Sequence, residues 1–287
     1  MPAPLRDRLR REAQRLRVPE DVVERDYALG HVLAALYGQA ELADCLVFKG
    51  GTALKKAYFG DYRFSVDLDF SAVGGPRRAA LEAYVRQAGV SAVEALNDFG
   101  RFDLEVSRRR NTGPHPGGQE AFTALVQFPW RGRAPCSIKL EITVDEPVLL
   151  PVAPRPLIHG YDESLAVTLR CYALEEIVAE KLRTLLQARK RLEARRWMRN
   201  CARDYYDLWR LGSARDLAID WQVVQGVLGE KCAVRGVEFV SVDDFFAEAI
   251  VDAARRQWES SLTNLVRDLP LFDSAIEDVR RVVSTIV

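Results

Sequence analysis

Two aspartates, Asp67 and Asp69, stand two residues apart in SVDLDF at 65–70, alternating with the apolar Val66, Leu68 and Phe70. Such alternation marks a strand whose successive side chains point to opposite faces. Ser65, Asp67 and Asp69 then share one face while the apolar residues enter a core, and the two aspartate backbones lie roughly 6.6 Å apart. Carboxylates at that spacing can converge on one or two Mg²⁺ ions, which polarise phosphate oxygens and offset the charge that accumulates in phosphoryl transfer. An edge strand with both acids in water has the same pattern, so the pair alone leaves two readings open.

The elements before this strand narrow the choice. Residues 45–48 read as a buried strand, Gly50, Gly51 and Thr52 as a turn, 53–58 as a short helix, and 64–70 as the acid-bearing strand. The glycines permit unusual backbone angles and close approach, and N–H groups at the helix start can meet a phosphate. A third acid is available in CSIKLEITVDE at 136–146, where Ile138, Leu140 and Ile142 mark one strand face and Lys139, Glu141 and Thr143 the other. Beside the first acid strand, Glu141 would complete a three-carboxylate metal cluster and Lys139 would meet a phosphate or a base. Asp103 and Glu105 in FDLEVS at 102–107 are rivals for that place, and a solvent-facing strand explains Lys139 and Glu141 equally well.

In the second half, Leu174, Ile177, Val178, Leu182 and Leu185 form one face of a helix, with Lys181 at its border. Its amine suits a triphosphate or an ordinary helix salt bridge. Downstream, Asp204, Asp207 and Leu211 fall near a common helical face, with Arg203 beside the first acid. A basic run of Arg189, Lys190, Arg191, Arg195, Arg196, Arg199 and Arg203, with Trp197 within it, suits an RNA backbone and a stacked base, or simply a solvated surface. Arg108, Arg109 and Arg110 open a loop and form a second basic patch. His31, His115 and His159 show no metal-ligand spacing along the chain, and histidine catalysis is not expected.

Gly50, Gly51 and Thr52 followed by Ser65, Asp67 and Asp69 resemble the opening motif of the AbiEii/MenT family of nucleotidyltransferase-like toxins from bacterial toxin–antitoxin and phage-defence systems. EKLR at 180–183 and RDYYD at 203–207 resemble that family's later motif. The resemblance covers about residues 20–211. It implies an α/β (α+β) fold, with a polymerase-beta-like core on a mixed sheet and a helical C-terminal lobe. It also implies an NTP substrate, Mg²⁺ with Mn²⁺ as a substitute, a cognate antitoxin, and nucleotide addition to the 3′ end of transfer RNA. Under it Asp67, Asp69 and Glu141 are metal ligands, Lys181 compensates triphosphate charge and Asp204 supports catalysis. Gly50, Gly51, Thr52, Ser65, Lys139 and Asp207 contribute to nucleotide binding. The loop here is GGT where GS is common in the broader superfamily, which puts its phosphate contacts in question. Ser65 is also a candidate phosphorylation site beside the metal acids.

The whole chain is consistent with a folded, two-lobed enzyme. It has 287 residues, 48% of them apolar, enough for a sizeable core. Lobes are expected at 1–150 and 151–287, joined through the proline-rich stretch 146–160, with the second lobe helical from about Tyr161 and contributing to the active site. Its helices are expected near 163–193, 198–211, 216–229, 242–258 and 261–285. The 41 basic and 41 acidic residues balance, so net charge neither identifies nor excludes a nucleic-acid partner. Five cysteines without CxxC spacing, no secretion signal and no long apolar run favour a reduced cytoplasmic protein with no membrane partner. The alternatives are nucleotidylation of a small molecule or protein, or a nonenzymatic RNA- or protein-binding regulator on the same scaffold.

Overall fold

The computed structural model describes residues 3–109, 118–132, 134–195, 199–214 and 219–287. Arg110, His115, Arg196 and Trp197 lie outside them. Two compact units are present, Met1–Tyr172 and Ala173–Val287.

The first unit opens with helices α1 (Leu5–Leu16), α2 (Glu20–Tyr37) and α3 (Ala40–Ala43). Strand β1 (Leu46–Lys49) follows, then a helical turn α4 (Gly50–Ala53) that continues as a π-helix over Leu54–Tyr58. After a loop come β2 (Asp67–Ala72), helix α5 (Arg78–Asn97), and strands β3 (Asp103–Arg108), β4 (Gln119–Gln127), β5 (Cys136–Thr143), β6 (Ala153–Pro156) and β7 (Thr168–Cys171). The strands form one mixed sheet in the order β3-β4-β5-β2-β1-β7-β6. β2 runs antiparallel to β1 and parallel to β5.

Period-two patterning divides the sheet into an apolar and a polar face. Phe48, Leu68, Phe70, Ile138, Leu140, Ile142 and Phe122 are all buried, and α2 packs on β5 as α5 packs on β3. The opposite face carries Asp67, Asp69, Lys139 and Glu141 at partly or fully exposed positions.

Two local expectations are corrected. The acid strand begins at Asp67 instead of residue 64, because its pairing with β5 starts at Asp67 and its pairing with β1 ends at Lys49, where the chain turns. Ser65 therefore lies in the loop before β2. Residues 163–173 are not helical: VTLRC supplies β-branched and alternating apolar residues, and Thr168–Cys171 pairs with β6.

The second unit is helical, with α6 (Leu174–Arg195), α7 (Ala202–Ser213), α8 (Trp221–Arg235), a 3₁₀ turn over Val242–Phe246, α9 (Glu248–Leu262) and α10 (Phe272–Val283). The apolar stripe of α6 buries Ile177, Val178, Leu182 and Leu185, and α6 packs on α8 while α7 packs on α9 and α10. None of the described helices is long and apolar enough to cross a membrane.

Candidate active site

Strand register brings the acids together. Asp69 is the direct partner of Glu141 across the parallel β2–β5 ladder, and Asp67 is the partner of Lys139. Directly opposed residues present their side chains to the same face, so Asp67, Asp69 and Glu141 share that face with Lys139 at the margin. On the other side of β2, Lys49 is the partner of Asp69. The Lys49 amine lies 3.2 Å from Glu146 Oε2, and 5.3 Å from the centre of the Tyr172 ring. Tyr172 also hydrogen-bonds through its hydroxyl to Ser71 Oγ at 2.7 Å, one pleat beyond Asp69.

The glycine turn is built against the same acids. Gly50 has φ +77°, a left-handed conformation that suits glycine. A Cβ there would lie 2.7 Å from Asp69 Oδ2, so the missing side chain is what lets the Asp69 carboxylate approach the turn. Thr52 donates from Oγ1 to the carbonyl oxygen of Asp67, fastening the turn to the start of β2.

Glu141 is held from outside by two further groups. Gln119 Nε2 donates to Glu141 Oε2 at 2.6 Å, and Arg109 Nη1 lies 3.6 Å from Oε1. The rivals for the third acid are placed elsewhere: Asp103 and Glu105 sit on edge strand β3, separated from β2 by β4 and β5. Arg109 continues the β3–β4 ladder through its N–H to Ala121, and Arg108 pairs with Glu120 and Glu82.

Lys49 and Gln119 were not singled out in the sequence. Lys49 precedes the GGT turn directly, but its facing of Asp69 depends on antiparallel register that spacing alone does not supply.

The second unit assembles the other candidates. Lys181 Nζ lies 2.6 Å from Asp207 Oδ2 and 3.1 Å from Asp204 Oδ1, and all three side chains are buried. Arg199 Nη2 approaches Asp204 Oδ2 at 3.4 Å. The one-turn spacing of Asp204 and Asp207 on α7 presents both acids to the amine on α6. Of the basic run, Arg189 pairs with Asp244 and Lys190 donates to the carbonyl of Gly236, so both charges are engaged within the unit.

A carboxylate set of three on one sheet face, closed at one end by a glycine turn, is chemically suited to a divalent cation and a phosphate. Hard oxygen donors and a backbone brought close by a missing side chain are the observations that fit such an ion.

The chain matches a family model described as nucleotidyl transferase AbiEii toxin, type IV toxin–antitoxin system, over residues 31–279. No curated protein sequence matches. Among solved structures, the fold is similar to that of MenT4, a nucleotidyltransferase toxin from Mycobacterium tuberculosis H37Rv. The TM-score is 0.66, with 23% sequence identity, 99% of this chain and 90% of that chain covered.

Proposed function

The chain belongs to the AbiEii nucleotidyltransferase toxin family, and from that premise we propose that it transfers a nucleoside monophosphate from an NTP to the 3′ end of a transfer RNA. The observation that carries this reading is the in-register pairing of Asp69 with Glu141, two residues from Asp67 and against the Gly50 turn. In the reaction, the acceptor hydroxyl releases its proton to solvent as its oxygen bonds to the α-phosphorus, the bond from that phosphorus to the bridging oxygen breaks, and pyrophosphate leaves.

Asp67, Asp69 and Glu141 would hold Mg²⁺, or Mn²⁺ in its place. When bound, the ion supplies charge stabilisation at the phosphate oxygens. Gln119 and Arg109 hold the Glu141 carboxylate in place. Gly50 and Gly51 admit a phosphate close to the backbone, and Thr52 keeps the turn fixed to β2. Lys139, exposed beside Asp67, meets a phosphate or a base. Lys181 compensates triphosphate charge, and Asp204 and Asp207 orient its amine, a role their 3.1 Å and 2.6 Å contacts support.

A type IV system implies an antitoxin partner. Ser65, half-buried in the loop two residues before Asp67, is a place where phosphorylation would put negative charge beside the acids and oppose nucleotide binding. Phage defence in the cytoplasm is the setting that the family suggests.

The test is labelled-nucleotide transfer by the full chain to purified transfer RNA, a protein mixture and small-molecule acceptors, with and without Mg²⁺. RNA labelling that requires Mg²⁺ supports the proposal. Protein or small-molecule labelling without RNA labelling assigns a different acceptor, and no labelling of any acceptor rejects the transferase reading.

A further inference from the structure

His31 on α2 and His159 and Glu163 in the segment between β6 and β7 are far apart in sequence yet meet inside the first unit. His31 is 2% exposed and His159 6%. Among the described residues, neither ring nitrogen of His31 or His159 has a partner at hydrogen-bond distance, and Oε1 of Glu163 has the His159 imidazole near it, at 3.6 Å. Folded proteins leave few buried polar atoms unsatisfied, each costing about 1–3 kcal/mol. One donor atom from each of the three residues gathers around one buried point, which a bound ion would satisfy.

We propose that His31, His159 and Glu163 form a Zn²⁺ site in the first unit, distinct from the acid-bearing sheet face. Two imidazoles and a carboxylate are a donor set that zinc favours. One ligand atom from each residue lies within 4.8 Å of the others. Glu163 Oε1 is 3.6 Å from His159 Nε2 and 4.0 Å from His31 Nε2. Ligand atoms around a tetrahedral zinc lie roughly 3.3 Å apart, so side-chain rotations that close the widest gap by about 1.5 Å complete the site.

The surroundings hold the three residues in this arrangement. Arg8 occupies the other oxygen of Glu163, Oε2, at 2.8 Å and leaves Oε1 facing the imidazoles. Such an outer contact orients a ligating carboxylate. A Cβ on Gly30 would lie 2.4 Å from His159 Nδ1, so the absence of a side chain makes room for that ring against α2. Tyr27 packs at 4.8 Å from His31 and 5.2 Å from His159 between ring centres. The neighbouring ammonium of Lys56 is taken up by Asp26 at 2.7 Å.

Co²⁺ and Zn²⁺ titrations of the metal-stripped full chain test the site, in the wild type and in the Asp67→Asn, Asp69→Asn double variant. The expected result is one tightly bound ion per chain retained in the double variant, and in both proteins visible Co²⁺ d–d bands, no thiolate charge-transfer band, and a higher Tm with Zn²⁺. His159→Gln and Glu163→Gln should each weaken binding by more than about a hundredfold, beyond what loss of a merely orienting group produces. Glu163→Gln retains the shape of the side chain, which guards against misfolding in the histidine variant. Loss of binding in the aspartate double variant, undiminished binding in Glu163→Gln, or a thiolate band would overturn the proposal, as would no binding at all.

Discussion

Asp69 faces Glu141 in register across a parallel strand pair, with Lys49 in register on its other side. Three charged residues from three adjacent strands thus form a row across the polar face of the sheet. The opposite face at these positions is apolar and buried, so a one-residue slip of β2 would send both aspartates into the core and is strongly disfavoured. The fold therefore fixes the acids by the same register that builds its core.

The Gly50 turn is predicted to be intolerant of any side chain. Gly50→Ala places a methyl 2.7 Å from Asp69 Oδ2 and forces alanine to φ +77°, a conformation costing about 1–2 kcal/mol. Nucleotide transfer should fall at least about tenfold while circular dichroism is retained, since a displacement of about 1 Å at a reacting centre can cost more than that. Wild-type transfer by a folded Gly50→Ala protein would show that the close approach is not needed.

Glu141, and neither acid of β3, should be essential. Glu141→Gln is expected to reduce transfer by about a hundredfold or more, whereas Asp103→Asn and Glu105→Gln, on an edge strand two strands away from β5, should stay within about twofold. Gln119→Ala should give an intermediate loss, because it removes a 2.6 Å donor that positions Glu141. A loss in the β3 variants equal to that of Glu141→Gln would contradict this assignment.

Lys181→Ala removes a catalytic candidate and also takes a cation 2.6 Å away from a fully buried acid. Asp207 is 0% exposed, and removing a cationic partner of a buried charge costs up to about 3–5 kcal/mol. Lys181→Met combined with Asp207→Leu should recover much of that stability, read as Tm, without restoring transfer at subsaturating NTP. RNA affinity should change little in either variant. Normal NTP dependence in the stable double variant would assign Lys181 a purely structural role.

Acid should weaken the first unit through Asp26. Burial pushes its carboxyl up, but the Lys56 and Lys55 charges and hydrogen bonds from Lys56 and Tyr161 outweigh this and hold it below its ordinary value. A depressed folded-state value means that the stabilisation is present above the unfolded pKa of about 3.9 and is lost as pH falls through the lower folded value. Asp26→Asn should therefore lower stability at pH 7 by about 3–5 kcal/mol by stranding Lys56. It should also flatten the stability loss below about pH 4, measured by denaturant unfolding across pH. An unchanged acid slope would remove Asp26 from the linkage.

The acid pair was legible because period-two alternation is local, and Lys181, Asp204 and Asp207 were legible because helical spacing is local too. Choosing Glu141 over Asp103 and Glu105 required strand order, which two-residue periodicity does not encode. β4 follows a polar, glycine- and proline-rich stretch, and its partners lie at a distance in the chain. β6 carries two prolines and, among the described residues, pairs with β7 alone as an edge strand, where missing N–H donors are tolerated, so its composition reads as a linker. His31 and His159 have no meaningful spacing in the sequence and acquire one only when α2 packs beside the segment after β6.

The most direct measurement is transfer of α-labelled NTP to purified transfer RNA by wild type, Asp69→Asn and Glu141→Gln, each at fixed Mg²⁺ and after chelation, with folding monitored in parallel. The account predicts label at the RNA 3′ end for wild type with Mg²⁺, at least about a hundredfold less for both folded variants, and none after chelation. Undiminished labelling by folded Asp69→Asn and Glu141→Gln, or by the chelated wild type, would contradict it.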